Sequence, residues 1–117
     1  MSKIKVLALD LDGTLTNDQK EVTPRTRAAL DAAIERGVTV VLASGRPTAG
    51  ITPLAKELGL DKKGGCILSY NGGKIVDCVT GETLVEKTLD PALVPELCAF
   101  AAAQDIAILT YNREGIV

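Results

Sequence analysis

The sequence predicts an α/β protein built on a parallel sheet, and two observations carry that prediction. Two nearly continuous apolar runs, residues 4–9 and 38–43, have the length and aliphatic content of buried parallel strands. A helical pattern lies between them, so strand, helix and strand form one βαβ unit within about 40 residues. The crossover of such a unit is expected to be right-handed.

Length and composition fit one small folded domain. The chain has 117 residues, of which 46% are hydrophobic and 24% charged, while aromatic residues make up only 3% and leave an aliphatic core. The net charge is −2 and no basic block is present, so we expect no nucleic-acid partner. The first apolar run is too short for a signal peptide or a membrane span, so we expect no membrane partner.

The cysteine and histidine content narrows the possible chemistry. Cys66, Cys78 and Cys98 are widely spaced without a C-x-x-C pair, which predicts reduced core thiols in a cytoplasmic protein and argues against a disulfide framework or a zinc site. The chain has no histidine, which excludes Ser-His-Asp and Cys-His nucleophile systems and metal sites that use histidine. Any reaction must therefore use carboxylates, hydroxyls, lysine, arginine or backbone groups.

The two helices of the first half have recognisable ends. Thr23 is predicted to cap the first helix with Pro24 in its first turn, and Gly37 to stop it. A second helical stretch opens after the second strand and ends at Leu58, before a glycine. Pro53 inside this stretch leaves two alternatives, a kinked helix or a late start capped by Thr52.

The remaining pattern predicts a hairpin, a helix and a final strand. The predicted elements are a strand over 66–69, a turn at 71–73 leading into a strand over 74–77, a strand over 82–89, a helix from 90 with Leu93, Leu97 and Phe100 on one face, and a strand over 106–111.

Two carboxylates follow the first strand directly, in the run LDLDGTL. Ligands of open parallel sheets bind beyond the carboxyl ends of the strands, which is where Asp10 lies, and Gly13 allows a turn that separates Asp10 from Asp12. Close carboxylates are tolerated beside a cation or when one of them is protonated, and oxygen ligands alone favour Mg²⁺. An ionised carboxylate is also a nucleophile, and a second one can move protons. The alternative is a polar turn made by Asp12 onto Gly13.

Three further polar residues follow the next strands. Ser44 ends the second strand, where its hydroxyl could donate to a phosphoryl oxygen, or could merely cap the following helix. Arg46 could hold a phosphate or carboxylate, or could be a surface arginine. Asn71 could line the same crevice, but N-G-G is also a strong turn signal.

The runs LALDLDGTLTNDQKEVTPRTRAAL, VVLASGRP and SYNGG resemble the haloacid dehalogenase superfamily of phosphotransferases. Within it they resemble the Cof-type sugar-phosphatase branch, which carries an α/β cap after the third core strand. The resemblance implies a Rossmann-like core, of which residues 1–83 would be the N-terminal part, and a cap that begins within residues 84–117.

The resemblance also implies roles for individual residues. Asp10 would be the nucleophile that forms an aspartyl-phosphate, and Asp12 the general acid and base. Mg²⁺ would be held by the Asp10 carboxylate and the Asp12 backbone carbonyl, and Ser44 would bind the phosphoryl group. The remaining substrate and phosphate contacts would come from Gly13, Thr14, Gly45, Arg46 and Asn71. The substrate would be a sugar phosphate or a similar small phosphate ester.

The chain departs from the family pattern in its second half. The family's third-motif lysine and its G-D-x-x-N-D metal-binding run have no counterpart, since no lysine stands in the expected context. We therefore expect the N-terminal part of a longer enzyme, with an exposed apolar edge and face and possible self-association. Two alternatives stay open: a non-catalytic remnant that binds phosphate or a partner, and a phosphomutase-type phosphotransferase.

Overall fold

A computed structural model of the chain describes residues 3–112 and 115–116. The chain divides into two compact units, Met1–Glu86 and Lys87–Val117. Within the described ranges, no helix has the length and apolar content needed to cross a membrane.

The first unit is one five-stranded sheet with three helices. Its strands lie in chain order, with β1, β2 and β3 parallel and β4 and β5 antiparallel to their neighbours. The elements are β1 (Val6–Asp10), α1 (Pro24–Glu35), β2 (Thr39–Ala43), α2 (Thr48–Glu57), α3 (Leu60–Lys63), β3 (Cys66–Ser69), β4 (Lys74–Asp77) and β5 (Thr83–Glu86). The predicted α/β class and parallel βαβ start are confirmed, whereas the short α3 was not predicted.

The ends of α1 follow the predicted signals. The Thr23 hydroxyl accepts a hydrogen bond from the Thr26 amide, at 3.3 Å, and Pro24 is the first helical residue. At the other end Gly37 adopts a φ of +87°, the left-handed conformation that ends many helices.

Pro53 lies inside α2, which begins at Thr48. The alternative of a late start capped by Thr52 is therefore wrong. The Thr52 hydroxyl instead donates to the Thr48 carbonyl within the helix, at 2.9 Å. Pro53 has no amide hydrogen to donate to the carbonyl four residues before it, so α2 forms around one missing backbone bond.

The two faces of the sheet differ in burial. Val40 and Leu42 of β2 are fully buried, and they belong to a core that includes residues of all three helices. Val6 and Val41 point to the other face with Ala8 and Ala43, and there Val6 is 58% exposed. We call this second surface the open face. It is the exposed apolar surface that the sequence led us to expect, while self-association stays a prediction.

The second unit contains a helix and a small hairpin. A 3₁₀ turn, Pro91–Leu93, leads into α4 (Val94–Ala103), and β6 (Tyr111–Asn112) pairs antiparallel with β7 (Gly115–Ile116). Asp90 caps the 3₁₀ turn by accepting from the Ala92 amide at 2.9 Å, so the predicted helix start is correct. The predicted boundary between residues 83 and 84, and the identity of the second segment as a cap, stay predictions. The strand predicted over residues 82–89 is shorter than expected, since β5 covers only Thr83–Glu86, where it pairs with β4 in the first unit.

Two expectations for the second unit need correction. Residues 106–110 form no strand, because a strand needs a hydrogen-bonded partner and their apolar run has none in the described part of the chain. Only Tyr111 of the predicted final strand is extended and paired. On α4, Cys98 is exposed, so the expectation of a core thiol is wrong for this residue, and Leu97 and Phe100 are 41% and 61% exposed.

Candidate active site

The sheet register brings three strand ends together at one edge. Asp10 lies opposite Ala43, and Ala43 lies opposite Leu68. The Ser44 amide then donates to the Leu68 carbonyl at 3.0 Å, which extends the pairing by one residue. We call the loops that follow β1, β2 and β3 at this edge the three edge loops.

The first edge loop is held by apolar anchors that the sequence interpretation missed. Leu11 and Leu15 alternate with the polar residues of the motif, and both pack into the core. The Leu15 amide donates to the Asp10 carbonyl at 3.1 Å, and the Thr16 amide and hydroxyl both donate to the Leu11 carbonyl. Gly13 has a φ of +78° between them, as the predicted turn requires. The apolar residues inside LDLDGTL were the signal for these anchors.

The polar residues of this loop face solvent. Asp10, Asp12, Gly13 and Thr14 are all exposed, so a ligand can reach them. The anchoring of Leu11 and Leu15 in the core therefore presents the acidic residues outward on a loop whose path is fixed.

Arg46 lies against the first edge loop instead of standing free. Its Nε donates to Asp12 Oδ2 at 3.1 Å and its Nη2 donates to Asp12 Oδ1 at 2.5 Å, a two-bond fork. Arg46 is half-buried and the carboxylate that it holds belongs to this chain, whereas its contact with a substrate phosphate stays a prediction. The Asp12 carboxylate is engaged by a guanidinium 34 residues away, and this contact could not be predicted from the motif.

Ser44 is not the cap of α2. The N-cap position of that helix is Pro47, and the Ser44 Oγ accepts a hydrogen bond from the Arg46 amide at 3.1 Å. Its hydroxyl hydrogen is a donor at the strand end, next to the residue opposite Asp10. Of the two interpretations of Ser44, the plain helix cap is therefore wrong.

The third edge loop lies directly on the second. The Asn71 amide donates to the Ser44 carbonyl at 3.1 Å, and the Tyr70 amide donates to the Arg46 carbonyl at 3.0 Å. A Cβ atom added to Gly45 would lie 3.0 Å from Asn71 Oδ1, so the Asn71 side chain occupies the space above that glycine. Asn71 thus forms the predicted turn and also lies at the predicted site.

The turn that carries Asn71 has an unusual backbone. Tyr70 and Asn71 have φ values of 52° and 54°, and Gly72 follows at 97°. Left-handed conformations are costly for residues with side chains and cluster at functional sites. Asparagine tolerates this conformation better than most residues, whereas tyrosine does not.

The donor chemistry of the first edge loop suits Mg²⁺. Carboxylate and backbone oxygens are the ligands that this ion prefers, and it commonly keeps several waters while binding one or two carboxylates. Asp10 and the Asp12 carbonyl would supply two such ligands. Among the described residues, no group of three or more His, Cys, Asp or Glu side chains forms a complete metal site.

Comparison with known proteins places the chain in a family. Residues 7–117 match the haloacid dehalogenase-like hydrolase family. The chain belongs to this family. A protein of Streptococcus pyogenes serotype M6, named as a candidate phosphatase, is 41% identical over 115 residues, which are 97% of this chain and 42% of that protein.

Two further relatives agree with this membership. The 5-amino-6-(5-phospho-D-ribitylamino)uracil phosphatase YwtE of Bacillus subtilis is 35% identical over 86 residues, 74% of this chain and 28% of that enzyme. The crystal structure of a haloacid dehalogenase-like hydrolase from Bacteroides thetaiotaomicron matches with a TM-score of 0.85 at 49% identity, covering 94% of this chain and 41% of that one.

These matches confirm the predicted family and its Rossmann-like α/β core. Members with phosphatase names support a phosphatase in broad terms. The chain spans less than half the length of these relatives.

Proposed function

We propose that this chain carries the nucleophile and the phosphoryl-binding hydroxyl of a Mg²⁺-dependent phosphatase that acts through an aspartyl-phosphate. The observation that carries the proposal is the alignment of Asp10, Ser44 and Asn71 at one edge of the sheet. Asp10 and Asn71 are exposed and Ser44 is half-buried, and the edge beyond these three successive strand ends is where open α/β sheets bind ligands. The phosphatase names of the relatives support the same reaction.

The proposed reaction has two halves. An Asp10 carboxylate oxygen attacks phosphorus, the bond from phosphorus to the ester oxygen breaks, and Asp12, which enters this step in its protonated form, gives that oxygen its proton and becomes a carboxylate. Asp12 then takes a proton from water, whose oxygen attacks the aspartyl-phosphate and releases inorganic phosphate. Mg²⁺, when bound by Asp10 and the Asp12 carbonyl, would offset the negative charge of the phosphoryl group.

Phosphoryl binding in this proposal falls to the second and third edge loops. The Ser44 hydroxyl would donate to a phosphoryl oxygen, and Gly45 keeps the backbone accessible beside it. Thr14 and Gly13 would line the opposite side, and Asn71 would contact the substrate. A small phosphate ester of a sugar or sugar alcohol is the proposed substrate class, and the name of the YwtE relative contains such a group. The free cysteines support a reducing compartment, the cytoplasm.

The test is Mg²⁺-dependent hydrolysis of p-nitrophenyl phosphate by the 117-residue chain. We expect Asp10→Asn to abolish turnover, because an amide is not a comparable nucleophile. Asp18→Asn removes an equally exposed carboxylate from the same loop region and serves as the matched control. Turnover that survives in Asp10→Asn would refute the proposed nucleophile.

Two other functions remain in competition with this one. One is a protein that binds phosphate without catalysing a reaction. It predicts that inorganic phosphate shifts the Ser44 amide resonance while no variant changes a background rate of hydrolysis. A phosphomutase-type enzyme would transfer the phosphoryl group to a sugar hydroxyl, so product analysis with sugar acceptors separates it from a phosphatase.

A further inference from the structure

We propose that Arg46 is a positioning residue that acts through Asp12 and is not a ligand of the substrate phosphate. This inference rests on the proposed function, in which Asp12 moves the proton. It replaces the role in substrate binding that the family resemblance implied for Arg46.

Arg46 makes contact with all three edge loops. Its guanidinium forms the two-bond fork with Asp12 of the first loop. Its amide donates to the Ser44 hydroxyl within the second loop, and its carbonyl accepts from the Tyr70 amide of the third. The Arg46 side chain, which orients Asp12, is therefore carried by a backbone whose amide and carbonyl are both hydrogen-bonded.

The geometry of the fork indicates that Arg46 orients the Asp12 carboxylate more than it stabilises the fold. A planar guanidinium that bonds both oxygens fixes the plane of a carboxylate, which a lysine ammonium cannot do. The pair is partly open to water, with the Arg46 side chain 34% and the Asp12 side chain 53% exposed. Exposed ion pairs add little to folding stability, so loss of this one should leave the fold intact.

The competing role for Arg46 is that of a direct ligand of the substrate phosphate. If Arg46 binds phosphate, it either leaves Asp12 or uses the guanidinium edge that Asp12 does not occupy. Both events change the surroundings of its side-chain nitrogens. The Arg46 Nε–H group therefore distinguishes the two roles without any need for turnover.

The experiment is a ¹H–¹⁵N NMR titration of the whole chain with inorganic phosphate in the presence of Mg²⁺. The Arg46 Nε–H resonance is assigned by its loss in Arg46→Lys, and Arg36, an exposed arginine at the end of α1, serves as the reference. We expect Arg46 to differ from Arg36 in the wild-type chain and to coincide with it in Asp12→Ala. At saturating phosphate the Ser44 amide should shift, and Arg46 Nε–H should not.

Each outcome decides the proposal. An Arg46 resonance that coincides with Arg36 in the wild-type chain overturns it, because the fork is then not formed. A phosphate-induced shift of Arg46 Nε–H, in the wild-type chain or in Asp12→Ala, overturns it in favour of a direct ligand. A Ser44 amide that does not respond to phosphate contradicts the proposed function, while an Arg46 signal that depends on Asp12 still supports the positioning role.

A kinetic arm distinguishes positioning from a purely structural role. Arg46→Met removes the fork and leaves Asp12 misaligned. It should therefore lower kcat about tenfold to a hundredfold, with KM changed less than about twofold. Arg46→Lys should restore little of this loss, because it cannot form the fork. In the Asp12→Ala background, Arg46→Met should cause no further loss. A KM effect in both backgrounds would overturn the proposal.

Discussion

Replacement of Gly45 by alanine tests whether the second and third edge loops are packed as described. The added Cβ would lie 3.0 Å from Asn71 Oδ1, 3.2 Å from Nδ2 and 3.4 Å from Cγ. All three atoms belong to one side chain, so the contact can be relieved only if Asn71 moves. The Asn71 backbone is held by the bond from its amide to the Ser44 carbonyl, so the side chain itself must turn away from Gly45.

The expected cost follows from two opposing terms. Overpacking of this kind costs about 1–3 kcal/mol, whereas a glycine-to-alanine change stabilises by about 0.4–1 kcal/mol through the unfolded chain. We therefore expect Gly45→Ala to lower the free energy of unfolding by about 1–2 kcal/mol. Urea unfolding followed by circular dichroism measures this as a lower midpoint with an unchanged m-value.

A second variant tests the cause of the loss. Asn71→Gly removes the side chain, and glycine accepts a φ of 54° without strain. In the Asn71→Gly background, Gly45→Ala should therefore be neutral or stabilising. Gly50, which lies in α2, provides the matched control Gly50→Ala, because a Cβ atom added there would meet no atom closer than 3.5 Å. An equal loss for Gly45→Ala in both backgrounds would refute the reasoning.

Two further predictions concern the thiols and the open face. Burial raises the pKa of Cys78 to about 11, so at pH 8 a disulfide reagent should label the exposed Cys98 first and Cys78 last. Because the folded-state pKa of Cys78 is above the ordinary thiol value of 9.0, its contribution to stability is lost as pH rises from about 9 to 11. A urea midpoint that rises over this range would contradict this prediction. We also propose that the chain self-associates through the open face, so Val6→Lys should lower the average mass in sedimentation equilibrium, whereas Lys5→Arg should leave it unchanged. A monomeric wild-type chain would contradict this proposal.

The elements that the sequence predicts well are those whose signals are local. Thr23, Pro24 and Gly37 bound α1 because a cap hydroxyl, a fixed φ and a left-handed glycine act within a few residues. The bounds of β3 and β4 are also as predicted, since a short apolar run and a turn define each of them. The strand predicted over residues 106–111 failed for the opposite reason, because a strand depends on a partner that local pattern does not supply.

The same distinction applies to the candidate site. Asp10 and Ser44 could be placed at one edge because parallel strands deliver their carboxyl ends to the same side of a sheet. The fork between Arg46 and Asp12 could not be predicted, since it depends on the path of two loops that are far apart in the sequence. The contact of Asn71 with Gly45 was out of reach for the same reason.

Contacts between loops, more than the sheet itself, therefore determine the shape of the candidate site. Strand pairing aligns Asp10 with Ala43 but leaves the following residues free to take many paths. The bond from the Tyr70 amide to the Arg46 carbonyl removes much of that freedom, and Tyr70 itself has a left-handed backbone, with a φ of 52°. Such a conformation costs about 1–3 kcal/mol and persists only where its surroundings impose it. If Gly45→Ala displaces this third loop, the Ser44 amide should lose its response to phosphate at urea concentrations where the chain is still folded. A response that persists unchanged would mean that the second loop holds its shape without the third.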